Sequence, residues 1–393
     1  MREQLEGSQA VARSVALCRP QVIAAYPISP QTHVVEALSD LVRSGELAPC
    51  EYLTVESEFG AMSACIGASA VGARAYTASA SQGLLYMAEA VFNASGLGLP
   101  IVMTVTNRAI GAPINIWNDQ SDSMALRDAG WIQLHAASVQ EAADLHLQAF
   151  VLAERLSLPV MVCMDGFVLT HATEEVDVPE QAQVDAFVPP YRPRQVLDPA
   201  DPVTIGAMVG PEAFTEVRHL LDLRLQQALS EVPRVAEAFA AQFGRRSGGL
   251  VRGYRTEDAE TVLVTLGSVA GAAEEAVDQL RAEGVAAGVV TLSCFRPWPA
   301  AALRDALGAA HRVVVLERAF SPGRGSIVGQ DVRVTLLDRA VPVVEVVGGL
   351  GGRPVLRAQV QRLVDDVHRG ALGPGGLHFL DLDQALLARA RTG

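Results

Sequence analysis

At 393 residues and 41.5 kDa, the chain has room for two or three domains of roughly 100–200 residues each. Half of its residues are hydrophobic and 19% are charged, which excludes a disordered, collagen-like or coiled-coil chain. A net charge of −13 disfavours a phosphate-backbone partner, since nucleic-acid binders need a basic surface that releases counterions. The sequence contains no lysine, so Schiff-base and Walker-type lysine mechanisms are excluded. No stretch of about 18 residues escapes a charge or turn residue, and no membrane-spanning helix is expected. Glu3, Glu6 and Arg13 interrupt the N-terminal segment, which is unlike a secretory signal and leads to the expectation of a soluble, cytoplasmic protein. The cysteines at 18, 50, 65, 163 and 294 form no CxxC pair. Iron–sulfur and zinc sites built on thiolates need short spacings, so no metal ligands are assigned to this chain.

Short β-rich runs alternate with helical patterns from the start. Val22 to Tyr26 precedes a helix from about Thr32; Tyr52 to Val55 precedes a helix over Ser57 to Val71; Arg74 to Ala78 precedes a helix over Gln82 to Asn93. Pro100 to Thr106, a polar loop, Trp131 to His135, a helix over Gln140 to Leu156 and a strand over Pro159 to Met164 continue this parallel-sheet rhythm. After Thr173 the pattern stops in a proline-rich, extended crossing segment, followed by a helix from about Pro211 to Phe243. A second block starts near Glu260: TVLVTLGS, a helix over Ala270 to Ala282, AAGVVTL, RVVVLE ending at Glu317, VPVVEVV and a helix from about Val355 to His368. The expected organisation is a first α/β domain over 1–245, a smaller α/β domain over 255–370 and a C-terminal tail over 371–393.

Ligands of open α/β sheets sit beyond the carboxyl ends of the strands, so the βα loops are where chemistry is sought. In YPISP, two prolines fix φ on either side of Ser29 and present its hydroxyl rigidly; the same loop equally suits a turn that starts the next helix. Glu58 opens the helical run FGAMSACIGASAVG, too apolar to face solvent and suited to packing against another subunit; its carboxylate also suits a helix N-terminal dipole. Arg108 follows an apolar strand in a polar loop, where a guanidinium can clamp a carboxylate or pair with Asp119 or Asp122. Asp165 ends a strand before glycine, as turn residues also do. GRGSIVG (Gly323 to Gly329) and GGLGGR (Gly348 to Arg353) offer backbone amides after strands, but neither has dinucleotide-fingerprint spacing.

Several of these stretches, in order, resemble the α subunit of the pyruvate:ferredoxin oxidoreductases (pyruvate synthases), within the 2-oxoacid:ferredoxin oxidoreductase family. AAYPISPQT is similar to that family's YPITP loop, ESEFGAM to its SEAGA-like helix start and TASASQGLLYM to its TASQGL segment. NRAIGAPINIWNDQSDSM, RDAGWIQL and LPVMVCMDGFVLTH are similar to the pyruvate branch. VTLGSVAGAAEEAVDQLRAEG, FRPWP, ERAFSPGRGS and GGLGGRPV are similar to the family's second domain.

The resemblance implies an α/β fold with a parallel-sheet, pyrimidine-binding thiamine-diphosphate domain followed by a smaller transketolase C-terminal-like domain. It implies an oxidoreductase subunit that converts pyruvate and coenzyme A to acetyl-CoA and CO2. Electrons would pass through iron–sulfur clusters of partner chains to ferredoxin. The implied partners are β, γ and δ subunits, with the family's β subunit supplying Mg²⁺ and the diphosphate site; consistent with this, no GDG motif with a downstream asparagine pair occurs here. Glu58 matches the carboxylate that hydrogen-bonds the aminopyrimidine N1′, an acid–base role relayed through the cofactor. Arg108 matches the arginine that pairs with the substrate carboxylate, and Ser29 matches a threonine that also contacts it. Pro27 and Ile28 match positions lying against the cofactor. Serine at 29 drops one methyl, a difference worth only about 1–3 kcal/mol of selectivity among small 2-oxoacids. A branched-chain 2-oxoacid, 2-oxoglutarate or oxalate is the alternative substrate. A non-catalytic, nucleotide-binding α/β protein is the alternative of a different class.

Overall fold

In a computed structural model, residues 2–308 and 310–392 are described. Fifteen strands occur among them: β1 (Arg2–Glu6), β2 (Val22–Ala25), β3 (Glu51–Thr54), β4 (Ala75–Ser79), β5 (Val102–Asn107), β6 (Ile132–His135), β7 (Val160–Asp165), β8 (Thr173–Asp177), β9 (Val251–Tyr254), β10 (Thr261–Thr265), β11 (Ala287–Leu292), β12 (Cys294–Arg296), β13 (Arg312–Glu317), β14 (Val343–Val347) and β15 (Leu377–Phe379). They build a seven-stranded sheet in the order β12-β6-β7-β5-β4-β2-β3, a six-stranded sheet in the order β15-β14-β13-β10-β11-β9, and the ribbon β1-β8. β5 and β7 are wholly buried and largely apolar up to their polar last residues, Asn107 and Asp165, as parallel strands covered on both faces are. One face carries helices Gly7–Leu17, Thr32–Ser44 and Val139–Leu156; the other carries Glu58–Ala70, Ser81–Tyr86 and Ala88–Leu97. None of the described helices is long and apolar enough to cross a membrane.

Several elements depart from the sequence expectations. The ribbon β1-β8 went unread because each strand buries a single apolar side chain, Leu5 and Val176, leaving no periodic signal. The helix expected over Gln82 to Asn93 is two helices, Ser81–Tyr86 and Ala88–Leu97, separated at Met87. β9 and β15 lie outside residues 255–370 yet pair in the second sheet. β12, within FRPWP, turns away from that sheet and pairs antiparallel with β6 of the first, completing its edge.

A buried carboxylate holds the two sheets' loops together. Asp165 Oδ2, at the end of β7, accepts from the Ser268 amide at 2.8 Å and its hydroxyl at 2.5 Å, and from Arg318 at 3.1 Å. Oδ1 accepts from Gln120 at 3.2 Å. Asp165 and Arg318 are both buried. Burial pushes the Asp165 carboxyl up, but Arg318 and Ser268 outweigh it and hold the pKa below the usual range. A carboxylate depressed in the folded state contributes stability present above the unfolded pKa and lost as pH falls through the folded one. Asp165→Ala leaves Arg318 buried without its counter-charge, and a loss of about 3–5 kcal/mol is expected in urea unfolding at neutral pH. That deficit should begin to shrink when the titration is repeated below about pH 4, where the unfolded carboxyl takes up a proton, and should vanish only as pH falls through the lower native pKa.

Candidate active site

Four adjacent parallel strands, β5, β4, β2 and β3, deliver their following loops to one edge of the first sheet. They carry Arg108, Ser81 with Gly83, Pro27 to Ser29, and Glu58 respectively. Arg108 Nη1 donates to the Ser29 carbonyl at 2.9 Å, and Nε donates to the Asn115 carbonyl at 3.1 Å. The structure therefore brings Arg108 and Ser29 together through backbone. The expected pairing of the guanidinium with Asp119 or Asp122 is not what forms: Asp122 accepts instead from the Arg108 backbone amide at 3.0 Å. A guanidinium has five N–H donors and two are used here, so three remain, enough for an end-on, two-oxygen contact with a carboxylate.

Pro27 and Ser29 are exposed and Ile28 is half-buried. Ser29 does not cap the following helix: the residue at its N-terminus is Gln31, with no side-chain cap. Gln31, fully buried, is a strut that sequence reasoning missed. Its Oε1 accepts from the Ile28 amide at 3.2 Å and its Nε2 donates to the Ala78 carbonyl at 2.9 Å, tying the loop after β2 to β4.

Glu58 starts helix Glu58–Ala70, whose N-cap Ser57 accepts from the Gly60 amide at 3.1 Å. Only 7% of Glu58 is exposed, and its carboxylate, which keeps access to solvent, has no hydrogen-bond partner among the described residues. It packs on Gly83, where an added Cβ would lie 2.3 Å from Glu58 Oε1, so glycine there makes room for the acid. A carboxylate held at the mouth of the strand-end edge with no protein donor is free to accept one from a ligand.

The loops are contiguous. Ser81, at φ +51°, sits in the left-handed region that side chains avoid. Its hydroxyl donates to the Ala109 carbonyl at 2.5 Å and its amide to Asp122 Oδ2 at 2.8 Å. Asp122 also accepts from Asn107 Nδ2 at 2.8 Å and the Ser123 amide at 2.8 Å. Burial raises its pKa to about 6 against those four donors. From Glu58 the contacts run through Gly83 and Ser81 to Ala109, Arg108 and Ser29. Around this edge stand exposed apolar side chains: Tyr26, Phe59, Tyr86, Ile114 and Trp117. A cavity of about 680 Å³, lined by Arg19, Leu47, Arg74 and Tyr191, lies at the opposite ends of the strands.

Neither glycine-rich loop of the second domain is free for a phosphate. Glu317, at the end of β13, fills the amides of GRGSIVG: its carboxylate accepts from the Ile327 and Val328 amides at 3.1 and 3.0 Å and from the Ser326 hydroxyl. In GGLGGR, the Gly351 amide donates to Asp119 at 3.3 Å and the Gly352 amide to the Asn118 carbonyl at 2.7 Å. The nucleotide-binding alternative loses both of its candidate loops.

Residues 13–237 match the family described as pyruvate flavodoxin/ferredoxin oxidoreductase, thiamine-diphosphate-binding. The chain belongs to this family. Residues 259–360 match the family's core domain II of pyruvate:ferredoxin oxidoreductase. Among curated relatives, a pyruvate synthase subunit PorA of Methanosarcina barkeri is 45% identical, over 98% of this chain and 97% of its own. The PorA subunit of Pyrococcus furiosus is 40% identical over 93% of each chain. A ketoisovalerate oxidoreductase subunit VorA of Pyrococcus horikoshii is 37% identical over 94% of each. A solved 2-oxoglutarate:ferredoxin oxidoreductase of Magnetococcus marinus superposes with a TM-score of 0.71 at 19% identity, over 93% of this chain and 65% of that one. A split-gene transketolase superposes at 0.56 and 15% identity, over 93% and 98%. At these identities the solved structures establish the fold: a thiamine-diphosphate-type domain followed by a transketolase C-terminal-like domain, as the sequence implied.

Asp122→Ala leaves the Ser81 and Arg108 amides buried without an acceptor. At about 1–3 kcal/mol for such a loss, thermal unfolding of the chain should move to lower temperature, and the shift should exceed that of Asp128→Ala, a surface control.

Proposed function

We propose that this family member is the α subunit of a multi-subunit pyruvate:ferredoxin oxidoreductase, in which the loops bearing Glu58, Arg108 and Ser29 form half of a thiamine-diphosphate site completed by a partner chain. The observation that carries the proposal is Glu58, a largely buried residue at the strand-end edge of the domain whose carboxylate has no protein partner among the described residues and stays open to solvent. This chemistry fits the aminopyrimidine end of the cofactor, which presents a ring nitrogen able to share a proton with an acid. Thiamine diphosphate, when bound, supplies the electron sink that lets a 2-oxoacid lose CO2.

The rest follows from the chain's own side chains. Glu58 holds a proton at the pyrimidine nitrogen, a bond that strengthens once a partner chain closes the edge and excludes water. The spare donors of Arg108 clamp the substrate carboxylate, with the Ser29 hydroxyl beside them. Pro27 and Ile28 form the apolar shelf against the cofactor. The exposed Tyr26, Phe59, Tyr86, Ile114 and Trp117 around the edge suit burial under a β subunit, which excludes water and brings Mg²⁺ and the diphosphate site. Iron–sulfur clusters of the partner chains would carry electrons to ferredoxin. The 45% identity to a chain named pyruvate synthase, against 37% to one named ketoisovalerate oxidoreductase, favours pyruvate over a branched-chain oxoacid.

The test is anaerobic purification of the tagged complex from its host and measurement of coenzyme-A-dependent viologen reduction across a panel of 2-oxoacids. Pyruvate is expected to give the highest kcat/KM. Glu58→Gln should lower kcat by about 10²–10⁴-fold in a complex that still assembles. Arg108→Lys, which loses the two-pronged contact, should raise KM for pyruvate by about tenfold or more. An assembled Glu58→Gln complex with unchanged kcat sinks the proposal.

A further inference from the structure

Glu6, His33 and His171 are distant in sequence and meet beside the candidate site. Glu6 ends β1, His33 lies in the first turn of helix Thr32–Ser44, entered through the Pro27–Ser29 loop, and His171 lies between β7 and β8. One ligand atom from each lies within 4.8 Å of the others. His33 Nδ1 is 2.6 Å from Glu6 Oε1, and the imidazole rings are stacked 4.6 Å apart with a 33° tilt. Phe167 packs on the other side of His171 at 4.8 Å and itself sits at φ +61°. Both histidines are exposed and Glu6 is partly so, leaving a path for solvent.

The His171 ring is held from behind. Thr170, fully buried, places Oγ1 2.7 Å from His171 Nδ1 while accepting from the Phe167 amide at 2.8 Å. Coordination through Nε2 takes the Nδ1–H tautomer, and an oxygen positioned to receive that proton is the outer support that metal-binding histidines use. Two imidazole nitrogens and one carboxylate suit Zn²⁺, whereas Mg²⁺ and Ca²⁺ take oxygen ligands. Zn²⁺ bonds of about 2.0–2.2 Å put tetrahedral ligand atoms about 3.4 Å apart. Rotation of the exposed His33 and Glu6 side chains covers the difference. Three protein ligands leave a fourth position for water.

We propose that Glu6, His33 and His171 form a Zn²⁺ site that ties β1 and the loop after β7 to the helix start behind the Pro27–Ser29 loop. The site is independent of the thiamine-diphosphate reading, and its test needs no partner chain.

The untagged full chain, stripped of metal, is titrated with Co²⁺ and then Zn²⁺. One equivalent of Co²⁺ should bind saturably and give a visible d–d spectrum of four-coordinate intensity, without a thiolate charge-transfer band, and Zn²⁺ should displace it. His33→Gln and His171→Ala should each weaken Zn²⁺ binding by at least about 100-fold. Thr170→Val, which removes only the outer support, should weaken it by about 10–100-fold. His311→Ala, at a distant exposed histidine, should leave it unchanged. Circular dichroism identifies any variant that has unfolded, and the remaining variants then decide. Absence of saturable one-equivalent binding, or equal affinity in the parent, His33→Gln and His171→Ala, overturns the proposal.

Discussion

The arrangement of the candidate site depends on one carboxylate, Asp122, and on the requirement that a buried acid be met by donors. Its oxygens gather the amides of Ser81, Arg108 and Ser123 and the side chain of Asn107. Those donors come from the loop after β4, the end of β5 and the long loop that follows it, three segments that no sheet ladder connects at this point. With them gathered, the Ser81 backbone is held in its left-handed conformation, Gly83 is set against Glu58, and the Arg108 guanidinium is aimed past the Ser29 carbonyl. The acid used for scaffolding is saturated with donors, and the acid proposed for chemistry has none.

The same economy recurs at the other buried carboxylates. Asp165 is satisfied across the two sheets' loops by Ser268, Gln120 and Arg318, and Glu317 by the start of the helix that follows it. Because every basic side chain here is arginine, buried counter-charges come as forked, planar donors that bond several acceptors at once. Arg318 bonds Asp165 and Ser268 together, and Arg245 spans Asp144 and Asp177.

Much of this was legible in the sequence. Alternating strands and helices with strong periodicity fall where expected, Glu58–Ala70 and Val139–Leu156 among them, because their burial is one-sided or complete over many residues. The βα loops singled out Glu58, Arg108 and Ser29 as candidates, and the family resemblance gave them their expected roles. What could not be read is whatever depends on distant segments meeting. β1 and β8 carry one buried apolar residue each, so only their pairing makes them strands. Asp122 was set down as a rival partner for the Arg108 side chain, and it grips the Arg108 backbone instead, a distinction that requires the loop's path. Glu6, His33 and His171 share no spacing at all; a cysteine count gave no hint of them.

The crossing of β12 into the first sheet bears on how the chain comes to be folded. β6 leaves the ribosome well before the segment that will border it, so its outer row of amides and carbonyls waits unpaired while the linker, the long helix Phe214–Phe243 and three strands of the second sheet are made. The first domain is thus finished by the second, and the late, long-range closure of that edge is the kind of step that slows folding and exposes a strand to other chains in the meantime. An aspect of the architecture that looks like a minor edge pairing sets the order in which the two halves can mature.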